Sequence, residues 1–296
     1  MKKYMLLVII IVLAFQMTIV NASAKIDRYA LVNRHNATLT DFNALTPLSV
    51  GNGRFTFTAD LTGLQTFAPA YDKGIPLTTM AEWGWHSFPN TENYKLEDTF
   101  KQVNTYGRNV PYDINLDTPA ATYLRANPHQ TNLAQIGFIL LKADGFPAAI
   151  EDINKPCQVL DLWEGILKSS FMVDNQPVEV ETLVSPDSDM IAFNVKSQLL
   201  KSGRLKISLK FPYASGSWGP NPSNWENPDK HTTRMLGNQE SSGILLHEMD
   251  DLKYYCVLKY SQKCELKELS RHSFEIVPNG KSDSLQLCVL LSKENV

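Results

Sequence analysis

The chain has 296 residues, a formal charge of −3, 43% hydrophobic side chains and 20% charged ones. That balance belongs to a globular protein that buries a large core, and it excludes a disordered chain. No basic surplus steers the chain to nucleic acid or to anionic lipid, so neither is expected as a partner.

Lys2 and Lys3 precede an apolar run from Met5 to Val20, and Ala22, Ser23 and Ala24 supply the small residues of a signal-peptidase site. This predicts a signal peptide over residues 1–24 and a mature chain from Lys25. An uncleaved anchor is the weaker reading, because the run is short for a bilayer and Gln16 interrupts it. No lipobox cysteine adjoins the site, so no lipid anchor is expected after cleavage. Without the two signal lysines, 26 basic side chains face 31 acidic ones, a net −5.

Period-two alternation dominates the mature chain. Phe55, Phe57, Ala59 and Leu61 share one face of a predicted strand, and so do Val178, Val180, Thr182 and Val184. The same pattern covers Ile191 to Val195, Leu205 to Phe211, Leu252 to Tyr260 and Leu285 to Leu291. Turn residues fall between these runs at Asp174–Asn175, Lys201–Gly203 and Pro278–Gly280. Alternation buries one face of each strand and wets the other, which predicts an all-β fold: one large antiparallel β-sandwich over residues 25–296. One short helix is expected, capped by Thr118, entered through Pro119 and stopped at Asn127–Pro128. Residues 62–132 otherwise read as a long insertion rather than more sheet, and residues 213–230 as a second long loop. Of the four cysteines, Cys256 and Cys264 are placed to pair across a hairpin, while apolar neighbours such as those of Cys288 suit free thiols equally. The favoured reading has no essential disulfide.

Residues 83–89, WGWHSFP, are the most informative segment. Indole rings beside Gly and Pro are good material for a wall that stacks on the apolar C–H face of a sugar. The competing reading has the same rings plugging the end of the sandwich. Other chemistry is sparse. His35, His86, His129, His231, His247 and His272 lie far apart with no zinc-binding spacing, so no metal and no cofactor are expected. Glu248, Asp250 and Asp251 lack the glycine of a calcium loop and read as a solvated turn. Glu82, Glu92, Glu226 and Asp229 are loop carboxylates that would serve as a proton donor in glycoside cleavage, yet each reads first as an ordinary exposed acid.

Several motifs in order carry a resemblance. NRHN at 33–36, SVGNGRFTFTADLTGLQTF at 49–67, WGWHSFPN at 83–90 and NPHQTNL at 127–133 resemble the amino-terminal part of secreted six-hairpin glycosidase-like proteins of Bacteroidetes. LDLWEG at 160–165, PVEVETLVSPDSDMIAFNVKS at 177–197 and GRLKISLKFPY at 203–213 are similar to the β-supersandwich that precedes the helical toroid of maltose phosphorylases and related fucosidases. The resemblance spans about 26–291 and implies export to the periplasm or cell surface of a Gram-negative bacterium, with an oligo- or polysaccharide as ligand. In that family the general acid sits in the toroid, and this sequence stops at Val296 after a strand. The expectation is therefore an amino-terminal domain, inactive alone, whose partner is a helical toroid. A sandwich loop closes one side of the sugar pocket in such enzymes, which would give Trp83 and Trp85 the stacking role and His86 a bond to a hydroxyl. Arg34, His35 and Asn36 would add polar contacts, although a salt bridge from Arg34 that ties the first strand to the sandwich is the preferred reading of that residue. The rival functions are a stand-alone carbohydrate-binding or lectin-like module without catalysis, and a purely structural domain.

Overall fold

The computed structural model describes residues 25–112, 117–216, 219 and 221–294, and the predicted signal peptide lies outside them. Two units are distinguished, divided after Asn36. In the first, α1 (Arg28–Asn33) is capped by Asp27, whose side chain accepts from the Ala30 amide at 3.0 Å. A helix thus stands where a first strand was anticipated.

The second unit is built on a nine-stranded antiparallel sheet. Its spatial order is β1 (Ala37–Leu39), β10 (Asn154–Asp161), β11 (Ile166–Val173), β12 (Gln176–Val184), β13 (Met190–Lys196), β22 (Ser284–Ser292), β19 (Leu252–Tyr260), β18 (Ser242–Met249) and β17 (His231–Gln239). A four-stranded sheet runs β20 (Cys264–Ser270), β21 (Ser273–Pro278), β14 (Leu205–Lys210), β9 (Gln135–Leu140), and a three-stranded one β2 (Leu48–Gly51), β3 (Phe55–Ala59), β4 (Thr79–Ala81). Three short pairs complete the described strands: β5 (Trp85–His86) with β8 (His129–Gln130), β6 (Lys101–Thr105) with β7 (Arg108–Tyr112), and β15 (Tyr213–Ala214) with β16 (Ser223–Asn224).

The alternating side chains account for these sheets. Val178, Val180, Ile191, Phe193, Val195, Leu285, Leu287 and Val289 enter one continuous core with Phe55, Phe57, Leu205, Ile207 and Leu209 from the smaller sheets. Each such burial contributes about 1.5–3 kcal/mol, and a one-residue slip would turn the whole set to water, so the register is strongly specified. Asp174 and Asn175 take φ of 48° and 61° and close β11 onto β12 as a two-residue hairpin turn. The anticipated helix is α2 (Pro119–Ala126), with Thr118 accepting from the Ala121 amide at 3.1 Å; a one-turn α3 (Gln198–Lys201) follows β13. All four cysteines are free, and burial pushes the Cys256 thiol up to about 12 and the Cys264 thiol up to about 11. The 62–132 insertion departs from expectation, since its described residues include five short strands, among them the exposed β6–β7 hairpin.

Candidate functional site

The aromatic segment supplies both an anchor and an outward face. Trp83 is half-buried: its indole N–H donates to Asp189 Oδ2 at 2.6 Å, and its ring lies tilted on Tyr254 with centroids 5.8 Å apart. Two residues on, β5 pairs with β8, placing Trp85 opposite Gln130 and His86 opposite His129. Successive strand residues point to opposite faces, so burying one exposes the other. His86 is 1% exposed and Trp85 is 48% exposed.

His86 is therefore not a hydroxyl-binding group, which corrects the role expected for it. Both of its ring nitrogens are engaged: Nδ1 lies 3.0 Å from His129 Nε2, and Nε2 lies 2.8 Å from Asp250 Oδ2. The carbonyl of Ala126 is 2.6 Å from His129 Nδ1 and requires a proton there, so His129 Nε2 is a lone pair and His86 Nδ1 is the donor. Asp250 Oδ2 also accepts the Tyr213 hydroxyl at 2.5 Å. Burial, then the hydrogen bond and negative charge of Asp250, push the Tyr213 hydroxyl well above the ordinary phenol range. His129 is shifted down chiefly by burial, with the His86 charge adding to this and the Ala126 carbonyl and Asp251 opposing it. Asp250 stands exposed in a turn, as read from the sequence, but its carboxylate also joins the WGWHSFP segment to the end of the β18–β19 hairpin.

Tyr213 continues this seam into a second group, its ring 5.7 Å from that of His231. His231 and Thr233 stand two apart on β17, and the register pairs Thr233 with His247 of β18. His272 comes from the β20–β21 turn, at φ 61°. Its ring stacks on His231 with centroids 3.7 Å apart and planes 15° apart. His272 Nε2 lies 2.8 Å from the Pro228 carbonyl, so in the neutral ring Nδ1 is the acceptor and takes the Thr233 hydroxyl proton at 2.8 Å. Thr233 Oγ1 then accepts from His247 Nδ1 at 2.8 Å, which leaves a lone pair on His247 Nε2. That nitrogen is buried without a partner, as is His231 Nδ1. Burial, then the neighbouring His272 ring and the Arg271 guanidinium, pulls His231 down to about 4. Burial, then His231 and His272, holds His247 well below the usual imidazole range against a smaller opposing bond to the Pro212 carbonyl. Beside these rings opens a pocket of about 290 Å³, lined among others by Asn224, Trp225, Pro228, His231, Arg271 and His272. Trp225 is 46% exposed.

The expectation that the histidines lie apart is overturned for five of the six. Their separations in sequence concealed contacts that only strand pairing creates; the one local signal was His231-x-Thr233 on a single strand face. In the first unit the Arg34 guanidinium donates from Nε to His35 Nε2 at 3.3 Å, and Asn36 Nδ2 donates to Asn33 Oδ1 at 3.4 Å. The loop acids Glu82, Glu92, Glu226 and Asp229 are all exposed; Glu82 pairs with Arg54 at 3.7 Å and Asp229 with Arg271.

The fold class is thus an antiparallel β-sandwich with a polar, histidine-rich seam. No protein-family model matches the sequence, and no curated protein matches it. A solved structure described as "Putative kojibiose phosphorylase from human microbiome" matches over 90% of this chain at 11% identity with a TM-score of 0.50. At that identity the likeness is one of fold, and this chain spans 34% of that protein's length.

Proposed function

We propose that the chain is the β-supersandwich domain of an exported glycosidase-related protein of the six-hairpin type, and that it supplies one wall of a saccharide pocket. Catalysis belongs to a helical toroid, with the general acid there and not among the exposed loop carboxylates of the sandwich. The fold likeness to a protein described as a putative kojibiose phosphorylase, of whose length this chain spans 34%, supports this reading. So do the ordered motifs from NRHN to GRLKISLKFPY. Export, and a Bacteroidetes source, rest on the signal-like amino terminus and on that resemblance.

The observation that carries the saccharide reading is the division of labour at β5. His86 is fixed from beneath by His129 and Asp250, so Trp85 presents its ring outward on a backbone that does not need to be ordered by the ligand. A rigid, half-exposed indole is the element that stacks on a sugar face. Trp83 holds the loop down through Asp189.

The test is glycan binding by the purified chain against a panel that includes kojibiose. Trp85→Ala is expected to weaken binding at least tenfold while the melting temperature moves by no more than about 1 °C, since surface substitutions away from packed features stay within about 0.5 kcal/mol. Trp83→Ala, by contrast, is expected to lower stability. A Trp85→Ala variant that unfolds would show the ring to be core, and glycosidic turnover by the chain alone would move the chemistry back into the sandwich. Glycan binding that persists with no toroid ever associated would favour the lectin-like alternative.

A further inference from the structure

Orphaned polar atoms in a buried site ask for an occupant, and the seam holds two of them, one on His231 and one on His247. His231, His247 and His272 each offer one ligand atom, and these three atoms lie within 4.8 Å of one another. All three side chains are buried, and His231 Nδ1 and His247 Nε2 have no hydrogen-bond partner. We infer that this trio is a binding site for one divalent transition-metal ion of the zinc type, held by three imidazole nitrogens with its fourth position facing the Trp225 pocket.

The donor set selects the ion. Neutral imidazole suits zinc, cobalt and nickel, whereas magnesium and calcium require oxygen ligands, and no carboxylate is among the residues described as lining the adjoining pocket. The outer hydrogen bonds that orient such ligands are already present. His247 Nδ1–H is held by Thr233 Oγ1, and His272 Nε2–H by the Pro228 carbonyl. Histidines that bind metals use this arrangement to fix the tautomer and aim the lone pair. His231 and His272 both line the pocket, which provides the route in.

Capture requires a small, defined rearrangement. Zinc–nitrogen bonds of about 2.0–2.1 Å place tetrahedral nitrogen ligands roughly 3.3 Å apart, so the trio must draw together from its present spread. Thr233 gives up its hydrogen bond to His272 Nδ1 while still accepting from His247, and His231 tilts out of its stack on His272. Three nitrogen–metal bonds form, the ion loses hydration water, and no oxidation state changes. None of this depends on the saccharide reading. The rival occupant is a single water donating to the two orphaned nitrogens.

Untagged chain, stripped with chelator, is titrated at pH 7.5 with Zn²⁺ by calorimetry and with Co²⁺ by absorption. One ion per chain is expected, and the Co²⁺ spectrum should be that of a four-coordinate nitrogen–oxygen site without a thiolate charge-transfer band. His247→Ala and His231→Ala should each weaken binding at least about 100-fold, and Thr233→Val, which removes only the outer bond, about 10- to 100-fold. Cys157→Ser, at an exposed free thiol, should bind like the parent. Absence of stoichiometric uptake by the parent chain overturns the inference in favour of a water-filled site. A thiolate band, or affinity that survives His247→Ala, overturns it in favour of a cysteine or surface site. If His247→Ala does not fold, the parent titration and Thr233→Val decide the matter.

Discussion

At the scale of single residues, Asp60 shows how a polar group is made to serve a core. It is fully buried within the TADLTGLQTF motif, where Oδ1 accepts from the Thr62 amide at 2.8 Å and the Thr62 hydroxyl at 2.6 Å, and Oδ2 from the Phe67 amide at 2.7 Å. Burial raises its carboxyl to about 6 despite the lowering effect of these bonds. The carboxylate ties both ends of the turn over 60–67 that carries Leu64 into the core. Asp60→Asn retains an oxygen for Thr62 but turns an amide N–H₂ towards the Phe67 N–H. A donor left facing a donor costs about 1–3 kcal/mol, and denaturant unfolding at pH 7.5 should show a loss of that size. At pH 5 the folded parent has taken up a proton at Asp60 that the unfolded chain has not, and the variant has no such gain, so the gap between parent and variant should widen. An equally large gap at both pH values would mean that the charge of Asp60 does not matter.

At the scale of elements, the same turn is stitched to β9. Gln65 N donates to the Ile136 carbonyl at 2.8 Å, its side-chain oxygen accepts from the Ile136 amide at 2.9 Å, and Gln135 Nε2 donates to the Gln65 carbonyl at 3.1 Å. The backbones approach so closely that a Cβ on Gly137 would stand 2.7 Å from the Gln65 carbonyl oxygen and 3.0 Å from Thr66 Cα. Neither obstacle is a flexible side chain. Gly137→Ala is expected to destabilise the fold by about 1–3 kcal/mol, the cost of overpacking, with a matching fall in melting temperature. An unchanged melting temperature would mean that β9 does not pass so tightly under the turn. Elements of this kind were legible in sequence only in part. The strands through Phe55, Val178, Ile191, Leu205, Leu252 and Leu285 could be read because each buries alternate apolar residues. The edge strand β17, HTTRMLGNQ, could not, since polar side chains fill most of its positions. β5 and β8, with two residues each, are too short to show any period. The aromatic half of the site was visible because it is contiguous, whereas Asp250 lies 164 residues from His86 and reaches it only through the packing of hairpins.

At the scale of the whole molecule, the seam sets how stability responds to acid. His129, His231 and His247 are all shifted down, chiefly by burial, and His231 reaches about 4. In the unfolded chain an imidazole titrates near 6.5. As pH falls through 6.5, the unfolded state takes up protons that the folded state refuses, so these three groups stabilise fully above 6.5 and lose that contribution on the way down; for His231 the loss is complete near 4. Asp60 acts in the opposite sense: its folded value of about 6 exceeds the ordinary 3.8, so between these limits the folded state holds a proton that the unfolded state has released, and stability rises as pH falls. Three imidazoles outweigh one carboxyl. Asp161, Glu248 and Asp283, held low chiefly by hydrogen bonds to Lys168, Arg234 and Lys201, add to the loss only once pH falls into the carboxylate range, and weakly, because they are exposed pairs. The melting temperature of metal-free chain is therefore expected to fall steadily from pH 7 to 4.5, with a shallower slope below 6, where Asp60 opposes. His231→Gln should flatten that slope by up to one proton's worth, while Asp60→Asn should steepen it below 6. A melting temperature that holds level or climbs over this range would mean that the rings of the seam are already protonated in the folded protein, and that their lone pairs are not available to any ligand.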